Sequence, residues 1–418
     1  MKIGIFGAGT VGGGVIEIIE KQEKFLESQG LNIQIVQCCV RNPEKYKDKI
    51  SEKIKLVENV NDILEDKSID IIVELIGGTG VAKEIIFEAI RRGKHVVTAN
   101  KAVIAENLPE LEKLLAKNPS VCFAYEAAVG GGIPIIQTLQ NELLADNINK
   151  ISGIFNGTTN FILSKMEEEG LSYQEVLKEA QELGYAEADP VADVGGFDAR
   201  AKLAILMKLS FGLTIDEKLI YTQGMERITD VDFTYAKEFG STIKLIAFAE
   251  SNSLGVMAYV SPVLLSNKNQ LSKINGVTNA IMINSEFLEE SVFIGKGAGR
   301  FPTANSIVSD ILSIKKGLKN KAFPMSSKVV FEEGLSSQFY IRFQIKDGIG
   351  IIRRVGELCE KYGVSVHSIS QLPIGNHKDL PFILTTEKTT RAAVEYLAND
   401  IKKLDFCNEK PFFMPIIN

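Results

Sequence analysis

Histidine and cysteine, the side chains that most often hold transition metals, are scarce in this 418-residue chain. The three histidines, His95, His367 and His377, lie too far apart in sequence to suggest a metal cluster. The five cysteines (Cys38, Cys39, Cys122, Cys359, Cys407) make no C-x-x-C pair, which argues against a zinc site and a disulfide framework. Basic residues do not outnumber acidic ones. A net charge of −6 leaves no domain-wide basic surface for nucleic-acid phosphates. No segment has the length and apolarity of a membrane span, and the uncharged stretch 251–267 is broken by Ser, Asn, Gly and Pro. The opening MKIGIFGAG reads as a strand and lacks the apolar core and cleavage site of a signal peptide, so a cytoplasmic protein is expected.

What is present has the balance of a globular protein, with 45% hydrophobic and 24% charged residues. The length exceeds one ordinary core, so two or three domains are expected. KIGIFG (2–7), NIQIVQCCV (32–40), IDIIVELIG (69–77), HVVTAN (95–100) and VCFAYEAAV (121–129) read as strands. Helical patterns over 10–28 and 81–93, and a further helix before 121, alternate with them and imply a parallel sheet covered on both faces. Ligands bind such sheets outside the strand carboxyl ends, here Gly7, Arg41, Gly77, Lys101 and Glu126.

After about residue 130 the pattern predicts helices over 134–145, 159–169, 173–183, 198–211 and 216–223, then strand-like pieces through 242–300 and a helix over 303–318. Ser172 and Glu175 form a capping box. Residues 337–418 read in the βαββαβ order of a ferredoxin-like module, whose first strand FYIRFQI is read as an apolar edge in need of cover by another chain. The expected fold is therefore α/β. It has a Rossmann domain over 1–130, an α+β catalytic and dimerisation domain over 131–325, with helix 303–318 packing back on the first, and a terminal module over 337–418.

Two stretches carry candidate chemistry. GAGTVG (7–12) fits G-x-G-x-x-G between a strand and a helix, the context that gives the motif its specificity. Gly7 permits the tight turn, Gly9 the approach of backbone to a pyrophosphate, and Gly12 close helix packing. The helix N-terminus offers N–H groups to the anion. The second strand ends in Val40-Arg41-Asn42 and lacks an acid for the ribose hydroxyls. Arg41 suits a 2′-phosphate, so NADP should at least be accepted, with NAD not excluded. The second stretch, GYAEADPVADVGGFDARAK (184–202), gathers Glu187, Asp189, Asp193 and Asp198 around a turn. It reads either as a solvated acidic loop or as a charged pocket for a small ionic substrate. A helix beginning just before Asp198 would place Lys202 on the same face, as a surface bridge or as an ordered proton donor.

NGTTNFIL (156–163), GYAEADP (184–190) and GFDARAK (196–202) resemble the homoserine dehydrogenase family, as do ELIGGT (74–79), TANKA (98–102), YEAAVGGGIP (125–134) and GKGAGRFPTANSIVSD (295–310). The resemblance is collinear over essentially the whole chain. It implies NAD(P)-dependent interconversion of L-aspartate 4-semialdehyde and L-homoserine, on the route to threonine and methionine. It implies Lys202 as proton donor, Lys101 as a second essential lysine and Asp198 beside the reacting centre. Glu187 would bind the substrate ammonium, and Thr158 and Tyr185 would line the substrate pocket. Thr10, Val11 and Gly299 would join the glycines at the cofactor. Backbone carbonyls of Glu126, Val129, Gly131 and Ile133 would hold Na+ or K+. The terminal module resembles an ACT domain, with DGIG (347–350) at its strand–helix turn as a possible L-threonine site and a homodimer or larger homo-oligomer implied. TTEKTT (385–390) departs from the family's threonine–histidine pairs. The Rossmann motif at the start of the chain resembles the monofunctional enzyme.

Two rival readings remain. An aldehyde-oxidising dehydrogenase would need an activated cysteine, for which Cys122 in an apolar strand is poorly placed. A non-catalytic sensor would have no use for Lys101, Glu187, Asp198 and Lys202 together.

Overall fold

The protein is described by a computed structural model over residues 1–317, 323–324, 329–332, 334–346, 348–372 and 380–418. Three residues used in the sequence reading, Leu318, Asp347 and His377, lie outside the described residues.

In chain order the elements begin with strand β1 (Lys2–Phe6), helix α1 (Thr10–Ser28), β2 (Gln34–Cys39), β3 (Lys55–Val57), α2 (Val60–Leu64), β4 (Ile71–Glu74), α3 (Val81–Arg91), β5 (His95–Thr98), α4 (Lys101–Lys117) and β6 (Phe123–Ala124). They continue with β7 (Ile148–Ile154), α5 (Gly157–Glu169), α6 (Tyr173–Glu182), α7 (Val191–Val194), α8 (Phe197–Phe211), β8 (Tyr221–Thr222), α9 (Asp230–Glu238), β9 (Ser241–Ser251) and β10 (Val256–Ser266). The last are β11 (Thr278–Ser285), β12 (Glu289–Lys296), α10 (Arg300–Lys315), β13 (Ser336–Ile345), α11 (Ile351–Lys361), β14 (Val366–Ser370), β15 (Leu380–Thr386), β16 (Thr389–Thr390), α12 (Arg391–Ile401) and β17 (Phe412–Ile417).

These elements form two compact units, each assembled from separate stretches of chain. The first comprises Met1–Ile151, Ala201–Glu217 and Asn279–Val330, and the second Ser152–Arg200, Lys218–Thr278 and Phe331–Asn418. The three consecutive blocks expected from the sequence cut across this division.

In the first unit a six-stranded sheet runs β3-β2-β1-β4-β5-β6 with every neighbouring pair parallel. Its strands are short apolar runs buried on both faces, as a helix-covered parallel sheet demands. Helix α10 belongs to the same core. Ala304, Ile307 and Ile311 pack with Ile3 and Ile5 of β1 and Val15 of α1. The two helices come close because Gly14 faces Ala304, where an added Cβ would have only 3.0 Å. Strand β3 and helix α2, which the sequence reading passed over, complete the outer edge of the sheet.

In the second unit the strands run β9-β10-β17-β13-β15-β14, with β8 beside β10 and β16 beside β13. Strand β13 pairs antiparallel with both β17 and β15. The expected edge strand FYIRFQI is thus an inner strand, covered by this chain's own C-terminus. Strand β17 in turn pairs with β10. A buried ion pair fixes β13 to α9, with Arg342 donating to Asp232 and Tyr340 Oη donating to the same carboxylate at 2.9 Å.

Three further expectations fail locally. The strand 121–129 shrinks to Phe123–Ala124 because the Glu126 N–H turns to the Asp310 carboxylate at 2.8 Å and the chain enters a 3-10 turn. The helix 134–145 appears as a π-helical turn over Thr138–Glu142, with Leu143 N donating to Thr138 O at 2.9 Å. There the Thr138 hydroxyl takes the Pro134 carbonyl and the Asn141 amide takes that of Gln137, in competition with the backbone ladder. The helix 216–223 gives way to a 3-10 turn and strand β8, because Tyr221 and Thr222 find backbone partners along β10.

Among the described residues no helix is long and apolar enough to cross a membrane.

Candidate active site

The nucleotide end of the first unit is built by backbone. Gly7 closes β1 at φ +98°, and a Cβ there would meet the Leu75 carbonyl at 2.8 Å. A Cβ on Gly12 would come within 2.1 Å of the Gly7 carbonyl oxygen, so only glycine lets α1 start this close to the turn. Gly9, the N-cap of α1, has nothing within 4 Å of where its Cβ would be, and no side chain caps the helix. Open space in front of uncapped N–H groups, with Thr10 and Val11 in the first turn, fits a bound pyrophosphate. Arg41 lies exposed just past the end of β2. Gly299 (φ +125°) is the N-cap of α10.

At the ends of β4 and β5 the organising group is Glu74, fully buried in an otherwise apolar strand. One of its oxygens accepts from Ile76 N at 2.8 Å and Gly77 N at 3.3 Å, and the other accepts from Thr98 Oγ1 at 2.7 Å. Asn100 N donates to Thr98 Oγ1 at 3.0 Å, and the Asn100 side chain caps α4 at Val103 N. Lys101 is the first residue of that capped helix, so a chain of hydrogen bonds fixes its backbone. In the sequence Glu74 is one of two acids, with Asp70, in the apolar run 69–77. Its burial and three partners identify it as the brace of both strand ends.

The segment 126–137 is held by two buried carboxylates. Glu126 accepts from Ile136 N and Gln137 N, both at 2.8 Å, and burial pushes its carboxyl up to about 7. Asp310 of α10 accepts from Glu126 N at 2.8 Å and Gln137 Nε2 at 2.9 Å, and burial together with the Glu126 charge raises it to about 8. Gly130 (φ +73°) and Gly131 (φ +57°) bend the loop between them. The Gly131 carbonyl already accepts from Ser306 Oγ at 2.7 Å, and that of Ile133 from Ile135 N at 2.9 Å. Each keeps a second lone pair, so the loop's carbonyl oxygens suit a hard monovalent cation. No group of three or more His, Cys, Asp or Glu side chains suited to a metal occurs among the described residues.

The second unit holds the acidic stretch, and here side chains do the work. Asn156 caps α5, its Oδ1 accepting from Thr159 N at 2.9 Å. Its Nδ2 donates to Asp193 Oδ1 at 2.7 Å and to Asp198 Oδ2 at 2.9 Å. Thr158 Oγ1 donates to the Tyr185 carbonyl at 2.6 Å, and the Tyr185 ring meets the edge of Phe161. Gln181 Nε2 steadies the turn through the Glu187 carbonyl at 3.1 Å and leaves the Glu187 carboxylate on the surface. Asp189 accepts from Val191 N at 3.3 Å within the turn. The structure thus joins Asp193 to Asp198 through Asn156, and Thr158 to Tyr185, within this unit. Asn156, which the sequence reading left without a role, is the hub of the two acids.

Helix α8 opens at Phe197, one residue before Asp198, so Lys202 follows on the same helical face one turn later. Lys202 is buried. Further along, the fully buried Lys208 pairs with Glu112 of α4 at 3.1 Å within the first unit. That contact links the helix bearing Lys202 to the helix that starts at Lys101.

A parallel sheet in the order 3-2-1-4-5-6, with a glycine turn of this shape, defines a dinucleotide-binding protein. Two family models, described as "Homoserine dehydrogenase, NAD binding domain" and "Homoserine dehydrogenase", match residues 7–123 and 134–312. The chain belongs to the homoserine dehydrogenase family and is an oxidoreductase. It is 37% identical over 418 residues to the homoserine dehydrogenase of Bacillus subtilis (strain 168), covering 98% of this chain and 96% of the relative. A solved homoserine dehydrogenase from Thiobacillus denitrificans superposes with a TM-score of 0.93 at 32% identity, covering 100% of this chain and 98% of the other. A hyperthermophilic archaeal homoserine dehydrogenase in complex with NADPH gives a TM-score of 0.65 at 28% identity, over 78% of this chain and 99% of the other.

Proposed function

We propose that this chain catalyses the reversible, NAD(P)-dependent reduction of L-aspartate 4-semialdehyde to L-homoserine, with the two sets of residues in the following roles. The nicotinamide, when bound, supplies the hydride to the aldehyde carbon. Lys202 then donates a proton to the oxygen that becomes negative, and Lys101 stabilises the same oxygen, because an ammonium aimed at charge that develops only in the transition state lowers the barrier. Asp198 orders the reacting centre, Glu187 takes the substrate ammonium, and Thr158 and Tyr185 shape the pocket wall. Gly7, Gly9, Thr10, Val11 and Gly12 hold the pyrophosphate, Arg41 a 2′-phosphate, and Gly299 a further part of the cofactor. The carbonyls of Glu126, Val129, Gly131 and Ile133 hold Na+ or K+. The observation that carries the reading is the drawing of Asp193 and Asp198, 37 and 42 residues away in sequence, onto the one amide of Asn156. A solvated acidic loop has no need of that arrangement.

The test follows reduced-nicotinamide absorbance with homoserine, and with the semialdehyde in reverse, using NAD and NADP side by side. Turnover in both directions supports the reading. A chain that binds dinucleotide and turns over neither substrate overturns it.

The C-terminal strands β17-β13-β15-β14, antiparallel and interleaved with α11 and α12, favour the further reading of 337–418 as a ferredoxin-like ACT module that responds to L-threonine. Thr386 Oγ1 accepts from Phe339 N at 3.0 Å and Thr390 caps α12, so the departure at TTEKTT serves the module's own framework. A homo-oligomer is supported by Phe287, Leu288 and Ile294, exposed on and beside strand β12. Truncation after about residue 325, compared with full-length protein for turnover, mass in solution and threonine response, tests both. Inhibition that survives truncation rules the module out as the effector site, and a mass of one chain for the full-length protein rules out the oligomer.

A further inference from the structure

Asn156 is buried, and both of its amide hydrogens are committed. The two amide hydrogens go to two different carboxylates, at 2.7 Å (Asp193) and 2.9 Å (Asp198), and the carbonyl oxygen goes to the Thr159 N–H at 2.9 Å. The orientation of the amide follows from these partners, since a reversed amide would put its oxygen against two anions. Two carboxylates are drawn to one neutral donor, which holds both in place through directed hydrogen bonds. A lysine at this position would neutralise them, and an aspartate would add a third negative group.

We infer that Asn156 is a positioning residue that acts through Asp198, fixing its carboxylate in one orientation. This rests on the reading of Asp198 as a group at the reacting centre. Capping of α5 is a separate task, performed by the oxygen, while the positioning is performed by the nitrogen. Asparagine, aspartate and serine all cap helices well, so the two tasks can be separated by substitution.

Asn156→Asp keeps the capping oxygen and the side-chain size but loses both donors. Asn156→Ser keeps a capping oxygen and retracts from both acids, and it serves if the aspartate variant does not fold. Either variant is expected to lower kcat ~10- to 100-fold, the scale of a small misplacement at a reacting centre, with dinucleotide affinity within about twofold of the parent. The decisive measurement is a double-mutant cycle between Asn156→Ser and Asp198→Asn. If Asn156 works through Asp198, adding Asn156→Ser to Asp198→Asn costs little further kcat. Losses that multiply would show a structural role independent of Asp198 and overturn the inference, as would full kcat in both Asn156 variants while Asp198→Asn is crippled. Full kcat in Asp198→Asn alone would instead remove the underlying reading of Asp198.

Discussion

At the glycine turn of the first unit the backbone does the binding. Gly7, Gly9 and Gly12 supply nothing but room and direction, and N–H groups face the space in front of α1. Around Asn156 in the second unit the roles are reversed. Side chains from positions 156, 193 and 198 supply the contacts that join the two acids, and backbone carries them there. The first arrangement is local, compressed into six consecutive residues that each constrain the next. The second is assembled from far-apart positions and depends on the tertiary structure to hold it. A backbone site fails through steric intrusion, and a side-chain site fails when one functional group is lost.

The sharpest way to break the comparison is Lys202→Ala, which should lower kcat ~10²- to 10⁴-fold, the range for a positioned acid–base group. Dinucleotide binding, measured by fluorescence titration, should persist. Near-normal turnover would remove Lys202 from the chemistry.

Helix α5, capped by Asn156, also faces a buried lysine at its far end. Lys244 donates to Asn275 Oδ1 at 2.7 Å and approaches Ser164 Oγ at 3.5 Å, and burial lowers its pKa from 10.5 to about 8. Below pH 8 the group is protonated both folded and unfolded, and burying the charge costs about 3 kcal/mol. Between pH 8 and 10.5 the unfolded chain holds the extra proton, so stability rises with pH. Lys244→Met should be the more stable protein at pH 7 and should lack this part of the rise. Urea midpoints for both proteins at pH 7 and pH 10 check it, and parallel shifts in the two would contradict it.

Gly12→Ala tests the backbone site. Its Cβ would meet backbone atoms of Gly7, so the turn must shift at a cost of about 1–3 kcal/mol, weakening NAD and NADP alike. Gly9→Ala has open space around it and should leave the melting temperature unchanged while weakening dinucleotide binding. If both variants bind cofactor as the parent does, the turn is not the pyrophosphate site. The smallest effect belongs to Arg41→Ala, expected to weaken NADP ~10-fold through loss of one charge-assisted contact and to spare NAD. Equal changes in the two affinities would show that Arg41 does not read the 2′-phosphate.

The same contrast explains what was legible in the sequence. Helix α1, the capping box at Ser172 and Glu175, and the start of α8 beside Asp198 all follow from short-range pattern. Several of the misread segments are those where a distant partner competes with local propensity. Strand 121–129 ends early because Asp310 takes the Glu126 N–H from 184 residues away. Residues 221–222 pair with β10 although their surroundings read as helical. FYIRFQI reads as an edge strand but is an inner one, a fact set by the return of the C-terminus as β17.

By itself the sequence determined the dinucleotide turn, because glycine is required wherever a Cβ would strike backbone, and that requirement acts within a few residues. It also named the residues proposed for catalysis, whose types and spacing lie in consecutive motifs. Only the tertiary structure decided how those residues are held: Glu74 bracing the strand ends, Asp310 clasping Glu126 and Gln137, and Asn156 joining two acids. Each is a buried polar group that must find its partners wherever the fold places them, and no local pattern records which partners those will be.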